Sequence, residues 1–115
     1  MTVARDPIPP GTLEMVILKT LSGVKKMHGF QIANAIFESS ENILQVEEGS
    51  LYPALQRLLV KGWISGEWGR TDGNRRARYY EITKSGRKRL INEIEAYRRV
   101  CGAISRILEP AWQQQ

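Results

Sequence analysis

At Gly62 the spacing of the apolar residues changes, and that change limits what the chain can fold into. Before it, apolar residues fall at helical spacing in three separate blocks. After it, Ile64 and Trp68 alternate with polar neighbours, as do Tyr80 and Ile82. A repeat of about 3.6 lines one face of a helix, and a repeat of two lines one face of a strand. The expected order is therefore helix, helix, helix, strand, strand and a last helix.

Thr12 precedes Leu13, Val16, Ile17 and Leu21, so a first helix is expected over about residues 12–22, with Thr12 as its N-cap. Ser22-Gly23 ends it. A second helix over about 28–38 presents Phe30, Ala33, Ile36 and Phe37 to the core. A polar turn follows, and Ile43, Leu44 and Val46 return the chain to the core. The third helix starts around Glu48-Gly49-Ser50 and stops at Gly62, a good residue for the left-handed position beyond a helix end. Pro53 falls in its first turn, where a missing N–H costs little. Leu51, Ala54, Leu55, Leu58 and Leu59 face inward.

Residues 63–68 read as a strand, 69–76 as a turn carrying Asp72-Gly73 and Gly73-Asn74, and 77–82 as the return strand. Thr83 is placed to cap a long helix running to about Leu108, closed by Pro110. The fold class is mainly α with a small β-hairpin: a winged helix-turn-helix plus a long C-terminal dimerisation helix. Its expected parts are an extended arm over 1–10 with Pro7, Pro9 and Pro10, a DNA-binding domain over 11–83, the long helix over 84–109 and a tail over 110–115.

A chain of 115 residues suits one domain and leaves little room for a large enzyme cleft. It carries no Gly-rich phosphate loop, and its single histidine, His28, has no identifiable partners for nucleophilic catalysis. The adjacent carboxylates Glu47 and Glu48 fall at a helix start, where they complement the dipole. No enzyme activity, metal site or cofactor is expected. The lone cysteine, Cys101, excludes an internal disulfide, and the first eleven residues hold no apolar signal core, so a cytoplasmic protein is expected. No apolar run approaches the ~18–20 residues that span a bilayer, so no membrane partner is expected.

The net charge of +5 favours a polyanion, and the placement of the charge says more than its size. The outward face of the third helix carries Ser50, Pro53, Gln56, Arg57 and Lys61, with Tyr52 near its start. Serine and glutamine can bond base edges, and arginine can bind guanine or phosphate. The alternative is an ordinary solvated face. The hairpin carries Arg70, Arg75, Arg76 and Arg78, opposed only by Asp72, which suits phosphates or a narrow minor groove. Lys25, Lys26 and His28 add cationic or hydrogen-bonding groups at the start of the second helix. Double-stranded DNA is the expected partner.

Leu90, Ile94, Tyr97, Cys101, Ile104 and Leu108 follow the alternating four-three spacing of a helix-pairing seam. The seam outruns what a three-helix core can cover, so a second copy of the chain is the expected partner there. Cys101 reads as a small packing residue.

Several stretches together resemble the PadR family of bacterial transcriptional regulators. They are Gly11-Thr12-Leu13-Glu14 with Ile17-Leu18, Met27-His28-Gly29-Phe30, and Glu48-Gly49-Ser50-Leu51-Tyr52-Pro53-Ala54-Leu55 with Arg57-Leu58 and Gly62-Trp63-Ile64. Arg75-Arg76-Ala77-Arg78-Tyr79-Tyr80, Ile82-Thr83 and Gly86 complete the match, over residues 11 to about 108. The resemblance implies a homodimeric winged-helix regulator, usually a repressor, of the compact subgroup with one C-terminal helix. It implies major-groove contacts by Ser50, Tyr52, Gln56 and Arg57, and backbone or minor-groove contacts by the hairpin arginines. Phe30 stands where the family often has tyrosine. Some members respond to small aromatic molecules near the dimer interface, so a small-molecule effector of unknown identity stays open, with Tyr97 as its candidate residue. A winged-helix interaction module without DNA binding is the remaining alternative.

Overall fold

The computed structural model describes residues 6–9 and 11–113. The elements are β1 (Asp6–Pro7), α1 (Leu13–Ser22), β2 (Met27–His28), α2 (Gly29–Ser39), β3 (Leu44–Gln45), α3 (Glu48–Val60), β4 (Ile64–Arg70), β5 (Arg76–Ile82) and α4 (Lys84–Gln113). Residues 1–5 and Pro10 of the expected arm lie outside the described residues. The arm's inner end is an extended pair, β1 running parallel to β3.

The helices bury one stripe each: Ile17, Leu18 and Leu21 from α1, Ile32 and Ile36 from α2, and Leu51, Ala54, Leu55 and Leu58 from α3. The hairpin closes this core with Ile64, Tyr80 and Ile82, and α4 adds Leu90. Two side chains expected in the core are outside it. Phe30 is 68 % exposed. At about 100° per residue it stands nearly opposite Ile32, the buried centre of α2. Ile43 is also exposed, while Leu44 and Val46 pack against the core.

The hairpin is longer than its sequence suggests. Its ladder runs from Ile64↔Ile82 to Arg70↔Arg76. Thr71 N–H donates to the Arg75 carbonyl at 2.8 Å, and Asn74 N–H to the Thr71 carbonyl at 2.8 Å. The left-handed residue of this turn is Asn74, with φ 61°. Asparagine tolerates that region, so the strands extend to the arginines that the sequence assigned to the turn. A third strand joins them: β2 pairs with β5 through Met27↔Tyr80 and His28↔Tyr79. Two residues are too few to show a period, and helix 2 accordingly begins one residue later than expected.

Helix ends follow local chemistry. Gly62, at φ 74°, closes α3: its N–H donates to the Leu59 carbonyl at 3.0 Å and Trp63 N–H to the Leu58 carbonyl at 3.1 Å. Thr12 is the N-cap residue of α1, as expected, and its carbonyl accepts Val16 N–H at 3.0 Å, but its hydroxyl donates to the Pro9 carbonyl at 2.7 Å and caps no helix amide. Pro110 does not close α4, which continues to Gln113. A proline this close to a helix end forfeits one bond of a ladder that is about to stop.

Thr83 caps α4 as expected. Its Oγ1 accepts from Gly86 N–H at 3.1 Å and donates to the Gly62 carbonyl at 2.7 Å. One hydroxyl thus joins the end of α3, the base of the hairpin and the start of α4. Thr83→Ala is expected to lower stability by about 1–2 kcal/mol, read from the denaturant midpoint at unchanged slope. A midpoint equal to wild type would show that water replaces both bonds without loss.

Candidate nucleic-acid interface

With Leu51, Leu55 and Leu58 buried, helical geometry puts Gly49, Pro53, Gln56 and Val60 on the opposite ridge of α3. Val60 is 77 % exposed there. An unpartnered valine beside a glutamine is suited to apolar and hydrogen-bonding contact with base edges. The two flanks of the ridge differ. Ser50, Arg57 and Lys61 lie on the side towards α1, where Arg57 Nε and Lys61 Nζ each stand 3.7 Å from a Glu14 carboxylate oxygen. Tyr52 lies on the side towards the hairpin.

Alternation along β4 and β5 decides where the hairpin arginines go. Trp68, Arg70, Arg76 and Arg78 continue the face that carries Ile64, Tyr80 and Ile82 into the core. Beyond the core this face has nothing to bury, and Trp68, Arg76 and Arg78 form one wall of a groove of about 780 Å³. Its other walls are His28 and Phe30 at the start of α2 and Tyr52 of α3. No carboxylate lines it. Arg76 stacks on Trp68, with Cζ 4.3 Å from the ring centroid. Arg70 Nη1 donates to the Asn74 carbonyl at 3.2 Å, and Arg75 is exposed at the tip. Burial raises the Tyr80 phenol above its ordinary pKa, with the Arg78 charge opposing.

Two expected DNA contacts are engaged elsewhere. Lys26 Nζ holds Glu67 at 2.8 Å, and Glu67 stands on the opposite face of the sheet from the groove. This hydrogen bond raises the lysine pKa and lowers that of the glutamate. His28 forms a capping box: its Nδ1 accepts from Gln31 N–H at 3.4 Å while its own N–H donates to Gln31 Oε1 at 3.0 Å. Its ring meets Tyr79 edge-on at 5.4 Å. Lys25 is exposed beside them.

The C-terminal seam divides in two. Leu90 is 6 % exposed in the chain's own core, and Ile94 packs against that core. Tyr97, Ile104 and Leu108 are exposed, and Cys101 is half-buried. Hydrogen bonding to Cys101 raises the Tyr97 phenol. Val100 and Ile107, absent from the seam read in the sequence, are exposed beside Cys101 and Leu108 and widen the apolar face. The sequence signal for them was their position immediately before each of those residues. Phe30 and Trp68 were likewise missed at the groove, because their apolar character reads as core until the limit of the core is known.

Among the described residues no group of three or more His, Cys, Asp or Glu side chains is placed to hold a metal ion. No helix among them is long and apolar enough to cross a membrane.

Three packed helices, the third with a bare ridge, followed by an arginine-lined hairpin, define a winged helix-turn-helix protein. The family model "Transcriptional regulator PadR-like family" matches residues 17–92. The chain belongs to this family of transcriptional regulators; it is a DNA-binding regulator and not an enzyme. It is similar to an uncharacterised protein of Lysinibacillus sphaericus, 28 % identical over 107 residues, covering 93 % of this chain and 97 % of that one. It also resembles the structure of a transcriptional regulator from Clostridium thermocellum, at TM-score 0.76 and 26 % identity, covering 84 % of this chain and 92 % of that one. A PadR family regulator from Clostridium difficile matches at TM-score 0.71 and 25 % identity, covering 85 % and 99 %.

Proposed function

We propose that the chain is a cytoplasmic homodimeric repressor that binds a palindromic operator. The observation that carries this reading is the groove: Tyr52 of α3 and Arg76 and Arg78 of the wing line one cavity that has no acidic wall. In the proposed complex the ridge of α3 enters the major groove, where Gln56 and Ser50 meet base edges and Tyr52 lies at the border with the wing. Arg57 and Lys61, on the far flank, meet the opposite phosphate strand. Arg70, Arg75, Arg76 and Arg78 take the backbone or the adjacent minor groove. Lys25, Lys26 and His28 supply weaker contacts, since Lys26 first has to leave Glu67. A dimer clamped on an operator blocks access to the promoter, hence repression.

A second copy is the proposed occupant of the exposed face of α4, and the support is self-complementarity. The same molecule carries an apolar groove of about 610 Å³ lined by Met15, Val16, Val24, Met27 and Leu44. Ile94 and Tyr97 of α4 form one of its walls, so face and groove are continuous. A two-fold axis beside Tyr97 lets each α4 cover the other copy's groove.

The test is a fluorescence-anisotropy titration on the promoter of the protein's own gene, across salt, with random DNA as competitor. Tight binding that survives competitor and weakens steeply with salt is expected. Gln56→Ala is expected to cost about 1–3 kcal/mol on the specific site and nothing on random DNA, while Arg57→Ala weakens both equally. Absence of binding at low salt would overturn the reading in favour of an interaction module.

A further inference from the structure

Glu14 of α1 carries a carboxylate that is poorly satisfied where it stands. Its Oε1 is buried and has no hydrogen-bond partner. Its cationic neighbours, Arg57 Nε and Lys61 Nζ, stand 3.7 Å from one oxygen each, beyond hydrogen-bond reach. A buried polar atom without a hydrogen bond is costly, and loose, half-exposed ion pairs return little stability. The carboxylate is therefore a poor structural device. The neighbouring Glu93 is already held by Arg89, one turn away on α4.

What Glu14 does is set the charge of one flank of α3. Arg57 and Lys61 are one helical turn apart, with side chains 53 % and 47 % exposed. Like charges at this spacing repel each other. One carboxylate beside both leaves the flank with one net positive charge instead of two. The contact seals neither cation. Arg57 lines an open groove of about 440 Å³ together with Ser50 and Pro53, on the face proposed for DNA. The Lys61 ammonium has a second seat over the Trp63 ring, 4.8 Å from its centroid. The wing is built differently: among the described residues Arg70, Arg75, Arg76 and Arg78 form no ion pair.

We infer that Glu14 limits the affinity for DNA of any sequence, because its carboxylate competes with the phosphate backbone for Arg57 and Lys61. This rests on the DNA-binding reading above. A phosphate that approaches this flank meets two cations and an anion. It either draws the cations off Glu14 or binds with the carboxylate beside it, and both routes weaken the contact. Glu14 acts through Arg57 and Lys61 rather than on the duplex, so it is a positioning residue.

The experiment measures binding of a random-sequence duplex across salt by four proteins: the wild type, Glu14→Gln, Arg57→Ala/Lys61→Ala, and the triple variant that combines them. Glu14→Gln keeps the shape of the side chain and removes its charge. It is expected to bind about five- to tenfold more tightly near 0.1 M salt, the worth of roughly one more neutralised phosphate. The slope of log affinity on log salt should steepen by about 0.9. Its melting temperature should stay at or above wild type, so the gain is not a by-product of altered folding. In the triple variant Glu14→Gln should add no affinity, since the cations it frees are gone. A Glu14→Gln protein that binds equally or more weakly would overturn the inference, because Glu14 would then be inert or would hold the cations in place for phosphate. An equal gain in the triple variant would also overturn it, by showing a general field effect. Duplex binding by Glu14→Gln where the wild type shows none would support it. Should neither protein bind duplex at low salt, the DNA reading falls and this inference with it, whereas wild-type binding without the Glu14→Gln gain removes the inference alone.

Discussion

Ile104→Glu is expected to yield a folded monomer that no longer retains operator DNA. Ile104 is 49 % exposed on α4, and among the described residues the chain itself covers it with nothing further. In the proposed dimer it is buried on both copies, so the substitution places two carboxylates in an apolar contact. An uncompensated buried charge costs about 3–5 kcal/mol, here once per copy. The monomer should melt as a cooperative unit, because the core of Ile17, Leu18, Leu21, Ile32 and Leu55 is untouched. The same change at Ile94 should behave differently. Ile94 packs on its own core, so Ile94→Glu is expected to unfold the domain as well as part the dimer. Sedimentation equilibrium distinguishes these outcomes, and a dimeric Ile104→Glu would place the subunit contact on another surface.

Gly86→Ala should lower stability by about 3 kcal/mol, at the upper end of overpacking costs. A Cβ there would stand 2.0 Å from the Trp63 carbonyl oxygen and 2.9 Å from Ile82 Cγ1. The blocking atom is backbone, so no rotamer change relieves it. The Trp63 carbonyl also accepts Thr83 N–H at 3.0 Å, and Thr83 and Ser85 both donate to the Gly62 carbonyl. Moving α4 outward therefore strains the junction that holds the wing to α3. Gly102→Ala is the control. Its nearest neighbour is the flexible end of Arg106 at 3.7 Å, so it should stabilise α4 by roughly 0.5–1 kcal/mol. Chemical denaturation reads both, and a Gly86→Ala midpoint equal to wild type would show that α4 docks more loosely than its contacts imply.

The elements that were legible in the sequence are those where one physical signal dominates. The buried face of α3 is set by Leu51, Ala54, Leu55 and Leu58 at helical spacing, and its end by Gly62 with the left-handed turn that glycine favours. Thr83 was readable as a cap because a β-branched hydroxyl residue stands between a strand pattern and a helical one. The failures have different causes. Thr12 holds the N-cap position, but its backbone, at φ −110° and ψ −14°, lacks the extended geometry that aims a capping hydroxyl at the helix amides. Phe30 and Trp68 are apolar yet line a groove, because hydrophobicity does not reveal where a core ends. The sheet contribution of Met27 and His28 depends on a partner strand some fifty positions away, at Tyr79 and Tyr80.

The interface was legible in composition and less so in orientation. The arginines of the hairpin were readable as a cationic wing, but strand alternation beyond the core is what turns Arg76 and Arg78 into one groove. Side-chain pairing was not legible at all. Glu67 is four residues past Trp63 in sequence and gives no sign that it will meet Lys26, nor does Glu14 signal that it will meet Arg57 and Lys61. The seam of α4 was readable as a stripe, but its partition between the chain's own core and an outer face required the position of Leu90.

The most direct measurement is enrichment of binding sites from a pool of random-sequence duplexes, followed by sequencing. A dimer that lays α3 in successive major grooves should recover an inverted repeat with half-site centres about 10 base pairs apart. Gln56→Ala should relax the sequence within each half-site without changing that spacing. Recovery of single, unpaired sites, or no enrichment over the starting pool, would contradict a dimeric operator-binding protein.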